Sequence, residues 1–455
     1  MPTTAIVVFT RDLRVHDNPV LAAAAAADHV LPVFVHDQTL ATTGFATGPR
    51  TRFLDECLAD LDAGLRERGA ALLRREGDLV TEVARLAHEV DATAVHIAAD
   101  ASAFAVRRQR RLAEALADRC ELAVHDAVHT VLAAGSITPR GNDHFAVFTP
   151  YHRRWAGAAR REIASAPRRL RLPPAVSAPE APVGAGGESG MPGGETEARR
   201  RAHRWLGEDV DHYHRRHDDL AAERGTSRLS PYLHFGCLSA LELAAEAGAR
   251  HTEGADAFVR QLAWRDFHFQ VLAARPRAAH DDYRSRADDW RDDPQALQAW
   301  KEGRTGIPIV DAGMRQLAAE GWMHNRARLI TGSFLAKTLY LDWRAGAAHF
   351  QQHLLDGDIA NNQMNWQWVA GTGTDTRPNR VLNPLRQAER YDPTGDYVRT
   401  WVPELADLDD PRDLHQPWRL GPAGLRGRGY PAPIVDLDTA RDRFQRHRQV
   451  DRTAS

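Results

Sequence analysis

The chain of 455 residues predicts an α/β domain built on a five-stranded parallel sheet of Rossmann-like form, followed by an all-α domain. Three observations carry that expectation. Short apolar runs alternate with helical patterns at the N-terminal end. From Glu195 onward the periodicity is helical and strand-like runs disappear. All 11 tryptophans fall after residue 150, a composition shift that separates two parts with different work to do. The predicted division is a sheet domain at 1–130, an interdomain linker at 131–194 and a helical domain at 195–455.

Ala5–Thr10 is the first strand-like run. RDLR (Arg11–Arg14) and HDNP (His16–Pro19) follow, and an alanine-rich helix starts at Pro19. Further strand-like runs are Val30–Val35, Ala70–Arg74, Ala94–Ala98 and Glu121–His125. Helical patterns lie between them near Arg50–Arg68, Asp78–Val90 and Ser102–Arg119. Alternation at this spacing predicts a parallel sheet with helices on both faces. No GxGxxG follows the first strand, so a nicotinamide-dinucleotide domain is not expected. Pro173–Gly194 is rich in proline, glycine and alanine and reads as an exposed linker. GGETEA (Gly193–Ala198) then opens a helix whose early acids suit its N-terminal dipole.

With 61 acidic against 59 basic residues and a formal charge of -2, bulk charge does not draw this protein to nucleic acid. Any such site must be a local basic patch. Cys57, Cys120 and Cys237 show no metal or redox spacing, which fits a reducing compartment. The N-terminus reads without a signal peptide, and Ala22–Ala27 is too short to span a bilayer. These features predict a soluble, cytoplasmic protein without a membrane segment; that it is a monomer is a separate expectation. HYHRRH (His212–His217) lacks a recognised ligand spacing, and His349 with His353 on one helix face reads as solvated or capped; no metal is expected.

Asp356–Trp368 reads DGDIANNQMNWQW. Burying Asp and Asn together is costly unless a polar partner accepts their hydrogen bonds. The mixture therefore predicts a site for a polar, planar, aromatic ligand; the alternative is an exposed polar loop closed by two core tryptophans. Around it stand TGIPIVDAGMRQL (Thr305–Leu317), GWMHNRARLI (Gly321–Ile330), LDWRAG (Leu341–Gly346) and GTGTDTRPNRVLNP (Gly371–Pro384). Together with VFTRDLR (Val8–Arg14), VFTPYHRRW (Val147–Trp155) and YPAPIVD (Tyr430–Asp436), these motifs stand in the order of the photolyase/cryptochrome family of blue-light flavoproteins. The chain most closely resembles the bacterial class I cyclobutane pyrimidine dimer photolyases, over nearly its whole length.

The resemblance implies an FAD site in the helical domain and UV-damaged DNA as partner. GTSRLSPYLHFGCLS (Gly225–Ser239) is similar to the segment that wraps the flavin diphosphate, with Thr226, Ser227, Leu229 and Ser230 as contacts and Tyr213 upstream. Hydroxyls and free N–H groups at a helix start suit phosphate oxygens. Arg328 paired with Asp356 is implied beside the flavin ring, Asp358 at its polar edge, and Asn362 facing N5. Gln261, Trp264, Arg265 and His268 share a helix face by spacing. In the family the matching Trp and Arg line the cavity mouth, where an extruded base needs a stacking surface. Asn325, Arg326 and Trp368 complete the implied substrate set, and Arg265 is also counted with the flavin. Trp290, Trp343 and Trp366 match the family's electron relay; the alternative is three core residues.

In the first domain, Arg11, Arg52 and Asp100 match positions that hold an antenna chromophore, 8-hydroxy-5-deazaflavin in some relatives, with methenyltetrahydrofolate as the other choice. The bland reading pairs Arg11 with Asp12 and makes Asp100 a helix cap. Two departures concern the substrate alone. Gln261 stands where most such photolyases have Glu, and Leu329 replaces a common Met. The implied activity is light-driven splitting of pyrimidine dimers. A cryptochrome-type photoreceptor is the first alternative and a (6-4) photolyase the second, disfavoured because Asn325 and Leu329 occupy the positions of its histidine pair.

Overall fold

The computed structural model describes residues 2–41, 47–180 and 190–453. By contacts it divides into two compact units: Met1–His214 with Ser227–Pro276, and Arg215–Thr226 with Arg277–Ser455. This division does not follow the predicted boundaries at 130 and 194. Residues 181–189 of the predicted linker lie outside the described residues.

The first unit holds a five-stranded parallel sheet: β1 (Thr4–Phe9), β2 (His29–Asp37), β3 (Leu73–Gly77), β4 (Ala94–Ala98) and β5 (Glu121–His125), in the order β3-β2-β1-β4-β5. Central β1 is buried along its whole length, as a parallel strand covered on both faces requires. Its register runs Thr4 to His29 and Val8 to Val33 on one side, Ala5 to Ala94 on the other. The helices α1 (Pro19–Ala24), α2 (Gly48–Arg66), α3 (Leu79–Glu89) and α4 (Ala103–Leu116) alternate with the strands. Asn18 caps α1 by accepting from the amides of Val20 and Leu21. Asp78 and Ser102 do the same work for α3 and α4.

One strand moved. The apolar run Ala70–Arg74 is not β3, which starts at Leu73. The Ala70 amide is spent on Leu65 O and the Leu72 amide on Asp62 Oδ1, both on α2. Only from Leu73, opposite Val33, are backbone groups available to the ladder.

Helices beyond the sheet join this unit through buried polar contacts. Glu195 accepts from the amides of Val15 (2.6 Å) and His16 (3.0 Å). Asp266 accepts from the amides of Val131 and Leu132 and from Trp155 Nε1 at 2.9 Å. Trp155 lies on α5 (Phe148–Ala156), Ser230 opens α6 (Ser230–His234), and Asp266 sits on α7 (Glu253–Ala274). Composition marked a linker at 173–194, but buried hydrogen bonds bring much of 195–276 into the sheet's unit.

The second unit is helical. Its core gathers Trp300, Phe334, Leu335, Trp343, Phe350 and Trp366. Three helices carry most of its predicted site residues: α8 (Asn325–Ser333), α9 (Trp343–His353) and α10 (Ile359–Ala370). Gly346 lets α9 and α10 close together, because a Cβ there would strike the Trp366 ring and Leu335. Among the described residues no helix is long and apolar enough to cross a membrane.

Candidate functional site

In the second unit, Arg328 Nη2 donates to Asp356 Oδ2 at 2.8 Å, and Arg328 Nε donates to Met323 O at 2.8 Å. The Asp356 side chain is 5% exposed against 24% for Arg328, so this is a sheltered pair. Asp358 caps α10: its Oδ1 accepts from the Asn361 amide and from Asn361 Nδ2, both at 2.9 Å. Asn362 Nδ2 donates to Ala347 O at 3.0 Å. That bond fixes the amide's orientation, since only the NH₂ end can face a carbonyl oxygen. The carbonyl end of Asn362 is therefore the one presented to a ligand N–H. An ion pair, a fixed acceptor and a sheltered surround suit a flavin ring.

The DGDIANNQMNWQW stretch is more structural than its composition suggests. Gln367, with no solvent exposure, donates to Ala278 O and Asp281 O and accepts from the Tyr283 amide. Gln363 donates to Ala279 O. Not all of this polarity is left for a ligand: two of the seven polar residues, Gln363 and Gln367, tie α10 to residues 278–283. Neither glutamine had a local partner that sequence could reveal.

The helix carrying Asn325, Arg326 and Arg328 starts at an N-cap overlooked in the sequence. His324 Nδ1 accepts from the Arg326 amide at 3.1 Å, which only a neutral ring can do. Burial pushes the His324 pKa down to about 4. A folded pKa below the unfolded one makes this contribution complete above about pH 6.5, and it is lost as pH falls toward the folded value. Denaturant unfolding of wild type should accordingly lose about 3 kcal/mol across that window from this residue. His324→Asn keeps an acceptor without a titrating ring and should flatten the difference.

Asn325 is exposed and its amide has no partner among the described residues, so it is open to a ligand. Arg326 is not. It holds Asp218 with three contacts of 2.7–3.1 Å and lies 4.3 Å over the Tyr391 ring. Burial works against ionisation of Asp218, but His217 and Arg326 hold its pKa down to about 2. A cation already neutralised this way is a brace for α8 rather than a free phosphate contact. Trp368 is half-buried beneath Arg380, whose guanidinium stands 5.3 Å from the ring. Arg380 was not singled out in the sequence, because nothing local ties it to Trp368.

Trp366 and Trp343 are buried in one core, and Trp290 packs partly buried against it. The Trp366 ring lies over Gly346, one helical turn from Trp343 on the same face of α9. Trp343 Nε1 donates to Asp282 at 2.9 Å. Trp290 meets Tyr340, three residues before Trp343, with centroids 5.1 Å apart. Trp300 also approaches Trp366 edge-on at 6.0 Å, a neighbour the motif reading did not include.

In the first unit, Ser230 starts a helix whose N-cap, Leu229, has no side chain able to cap it. Its amide lies 3.4 Å from Ser227 Oγ, and Arg228 takes a left-handed conformation at φ 51°. Thr226 immediately precedes Ser227 in sequence but falls in the second unit. Amides without a side-chain cap and nearby hydroxyls fit a phosphate-bearing ligand. Tyr213 packs edge-on against Trp205 and Phe258. On α7, Gln261 is exposed with no partner among the described residues, and Trp264 is half-buried. Arg265 donates to His129 O and Leu233 O and lies 4.7 Å over Phe269.

At the C-terminal ends of the strands, Arg11 Nε donates to Asp100 Oδ2 at 2.6 Å and lies 5.1 Å over Phe269. The bland pairing with Asp12 does not form; Asp12 accepts from the Thr10 amide. Asp100 accepts from the Ser102 amide, while Ser102 itself caps α4. Burial opposes ionisation of Asp100, yet Arg11 and His129 hold it well below the usual carboxylate range. Arg52 lies exposed on α2. Two groups missed in the sequence belong here. Among the described residues, His129 has both ring nitrogens buried without a partner, and Arg108 its Nε. Burial depresses both, and Arg108 feels Asp100, Asp37 and Asp12. Buried donors lacking acceptors fit a polar ligand beside the sheet.

His214 pairs with Glu253 and His217 with Asp218. Among the described residues no group of three or more His, Cys, Asp or Glu gathers as for a metal.

Residues 5–171 match the family described as DNA photolyase, and residues 258–449 match the FAD binding domain of DNA photolyase. The chain is 55% identical to a deoxyribodipyrimidine photo-lyase of Streptomyces griseus over 99% of this chain and 100% of that one. A bacterial class III photolyase from Agrobacterium tumefaciens superposes with TM-score 0.90 at 30% identity, covering 100% of this chain and 98% of that one. An archaeal photolyase from Sulfolobus tokodaii, solved with two FAD molecules and implicating a novel light-harvesting cofactor, gives 0.84 at 31% identity, with 98% and 100% covered.

Proposed function

We propose, on the premise that this chain belongs to the DNA photolyase family, that it repairs cyclobutane pyrimidine dimers in UV-damaged DNA under blue light. Its full-length likeness to a deoxyribodipyrimidine photo-lyase carries this reading, and the α8–α10 constellation supports it. Reduced FAD supplies, when bound and excited, the electron whose temporary transfer opens the cyclobutane ring. The chain's residues do the rest. Arg328 and Asp356 would flank the flavin ring, Asn362 would accept from its N–H without delivering a proton, and Asp358 fixes the start of α10. Ser227, Leu229 and Ser230, with Thr226, take the diphosphate. Gln261 and Asn325 offer free amides to pyrimidine edges, while Trp264 and Trp368 offer flat surfaces to extruded bases. Trp366, Trp343 and Trp290 would pass electrons inward from a reductant in solution when the bound flavin is oxidised.

The test is an oligonucleotide carrying one cyclobutane dimer, mixed with reduced protein under blue light. Thymines should be restored. A (6-4) lesion should remain, because neither Asn325 nor Leu329 can act as a general acid. Gln261→Glu should repair as well as wild type or better, since Glu adds a carboxylic proton and keeps the acceptor. Protein that binds FAD and photoreduces yet repairs neither lesion would be a photoreceptor of the cryptochrome kind.

For the second chromophore the reading is 8-hydroxy-5-deazaflavin, held beside Arg11 and Asp100 with Arg108 and His129. Reconstitution should add an absorption band at the blue edge of the visible. If it does not, methenyltetrahydrofolate and a second FAD are the remaining occupants to try.

A further inference from the structure

The indole of Trp264, on α7, lies parallel to the ring of Phe148, the first residue of α5, with centroids 3.7 Å apart and planes 6° apart. Phe267 stands edge-on to both, 5.6 Å from Trp264 at 88° and 5.8 Å from Phe148 at 84°. The Arg260 guanidinium is 5.1 Å from the Phe148 ring. Phe148 is 5% exposed, while Trp264 remains half-buried. The pair thus ends in an indole that solvent, or a ligand, still reaches.

Helix α5 is also pinned. Trp155 binds Asp266 at 2.9 Å, the carboxylate that takes the amides of Val131 and Leu132, and Tyr151 packs on Phe267 at 5.4 Å. Burial pushes the Asp266 pKa up to about 6, although all three donors oppose the shift. Phe148 is thereby carried on a braced helix, buried between Trp264 and Phe267, and its ring bears on the plane of Trp264. The overlapping faces restrain the tilt of the indole by contact, and a side chain fixed beforehand loses less freedom on binding.

We propose that Phe148 is a positioning residue for substrate recognition, a role that rests on Trp264 being the stacking surface for an extruded pyrimidine. Its ring backs the indole and holds it in the orientation that the base meets. Phe148 lies within 5–171, outside the stretch 258–449 that matches the FAD binding domain, so the substrate site draws on both stretches of sequence.

The test uses the full FAD-loaded chain and two oligonucleotides, one with a single cyclobutane dimer and one undamaged. Phe148→Leu should raise KM for the dimer about fivefold, the scale of ordering one side chain, with the change in KM rather than kcat. Undamaged DNA should bind as before. Phe148→Tyr, which keeps the ring, should restore the wild-type KM, and Phe148→Met stands in if the leucine variant does not fold. Trp264→Ala should weaken dimer binding, and adding Phe148→Leu to it should weaken binding no further. Equal KM for wild type and Phe148→Leu, with Trp264→Ala impaired, overturns the role while leaving the stacking surface intact. Equal losses on damaged and undamaged DNA also overturn it. If Trp264→Ala itself binds the dimer like wild type, the stacking surface falls and the positioning role with it.

Discussion

Asp356→Ala protein should purify colourless. Asp356 is 5% exposed and is the carboxylate partner of Arg328 Nη2. Removing it leaves a sheltered guanidinium without its counter-charge, a change that costs about 3–5 kcal/mol. If even half of that falls on the flavin-bound form, affinity drops more than about tenfold. The Kd for flavin, measured by titrating the apoprotein, should then rise by more than about tenfold. Asp356→Asn keeps an acceptor but no charge and should hold an intermediate amount. Asp358→Ala is the instructive contrast, because it removes a cap worth about 1 kcal/mol and should lower stability more than it lowers flavin content. Full flavin in Asp356→Ala would assign the Arg328 pair to structure alone.

Trp366→Phe should lose light-driven reduction of the oxidised flavin while repair by chemically reduced protein continues. The substitution is unusually clean. Trp366 Nε1 is buried with no hydrogen-bond partner among the described residues, so a phenyl ring forfeits packing but no polar contact. Against the Gly346 notch and Phe350, 4.9 Å away, the ring keeps most of its contacts. Photoreduction followed by absorbance should slow at least about tenfold, a barrier change near 1.4 kcal/mol or more. Trp300→Phe is the control for the neighbouring ring at 6.0 Å. If it slows photoreduction and Trp366→Phe does not, the relay leaves through Trp300; if neither matters, all these rings are core.

The sheet and most of its helices were legible because their signals are local. Alternating apolar runs and the spacing of strands by helices are read within a few residues, whereas the caps Asn18, Asp78 and Ser102 were seen only in the fold. The polar motif at 356–368 stood out for a related reason: its polar residues are dense in sequence. Local signal failed where the partner is distant. The start of β3 depended on α2 taking the amides of Ala70 and Leu72. Arg326 reads as a free cation until Asp218, 108 residues away, appears beside it. Within the polar stretch, nothing in the sequence shows that Gln367 is taken up by the backbone at 278–283. By itself, then, the sequence determined the secondary elements and which residue types gather in which motif. Tertiary structure alone decided which polar groups remain available, because availability is what is left after folding has satisfied each buried donor and acceptor. The backing of Trp264 by Phe148, 116 residues earlier, is of the same kind: a contact no periodicity encodes, fixed only when α5 is pinned through Asp266.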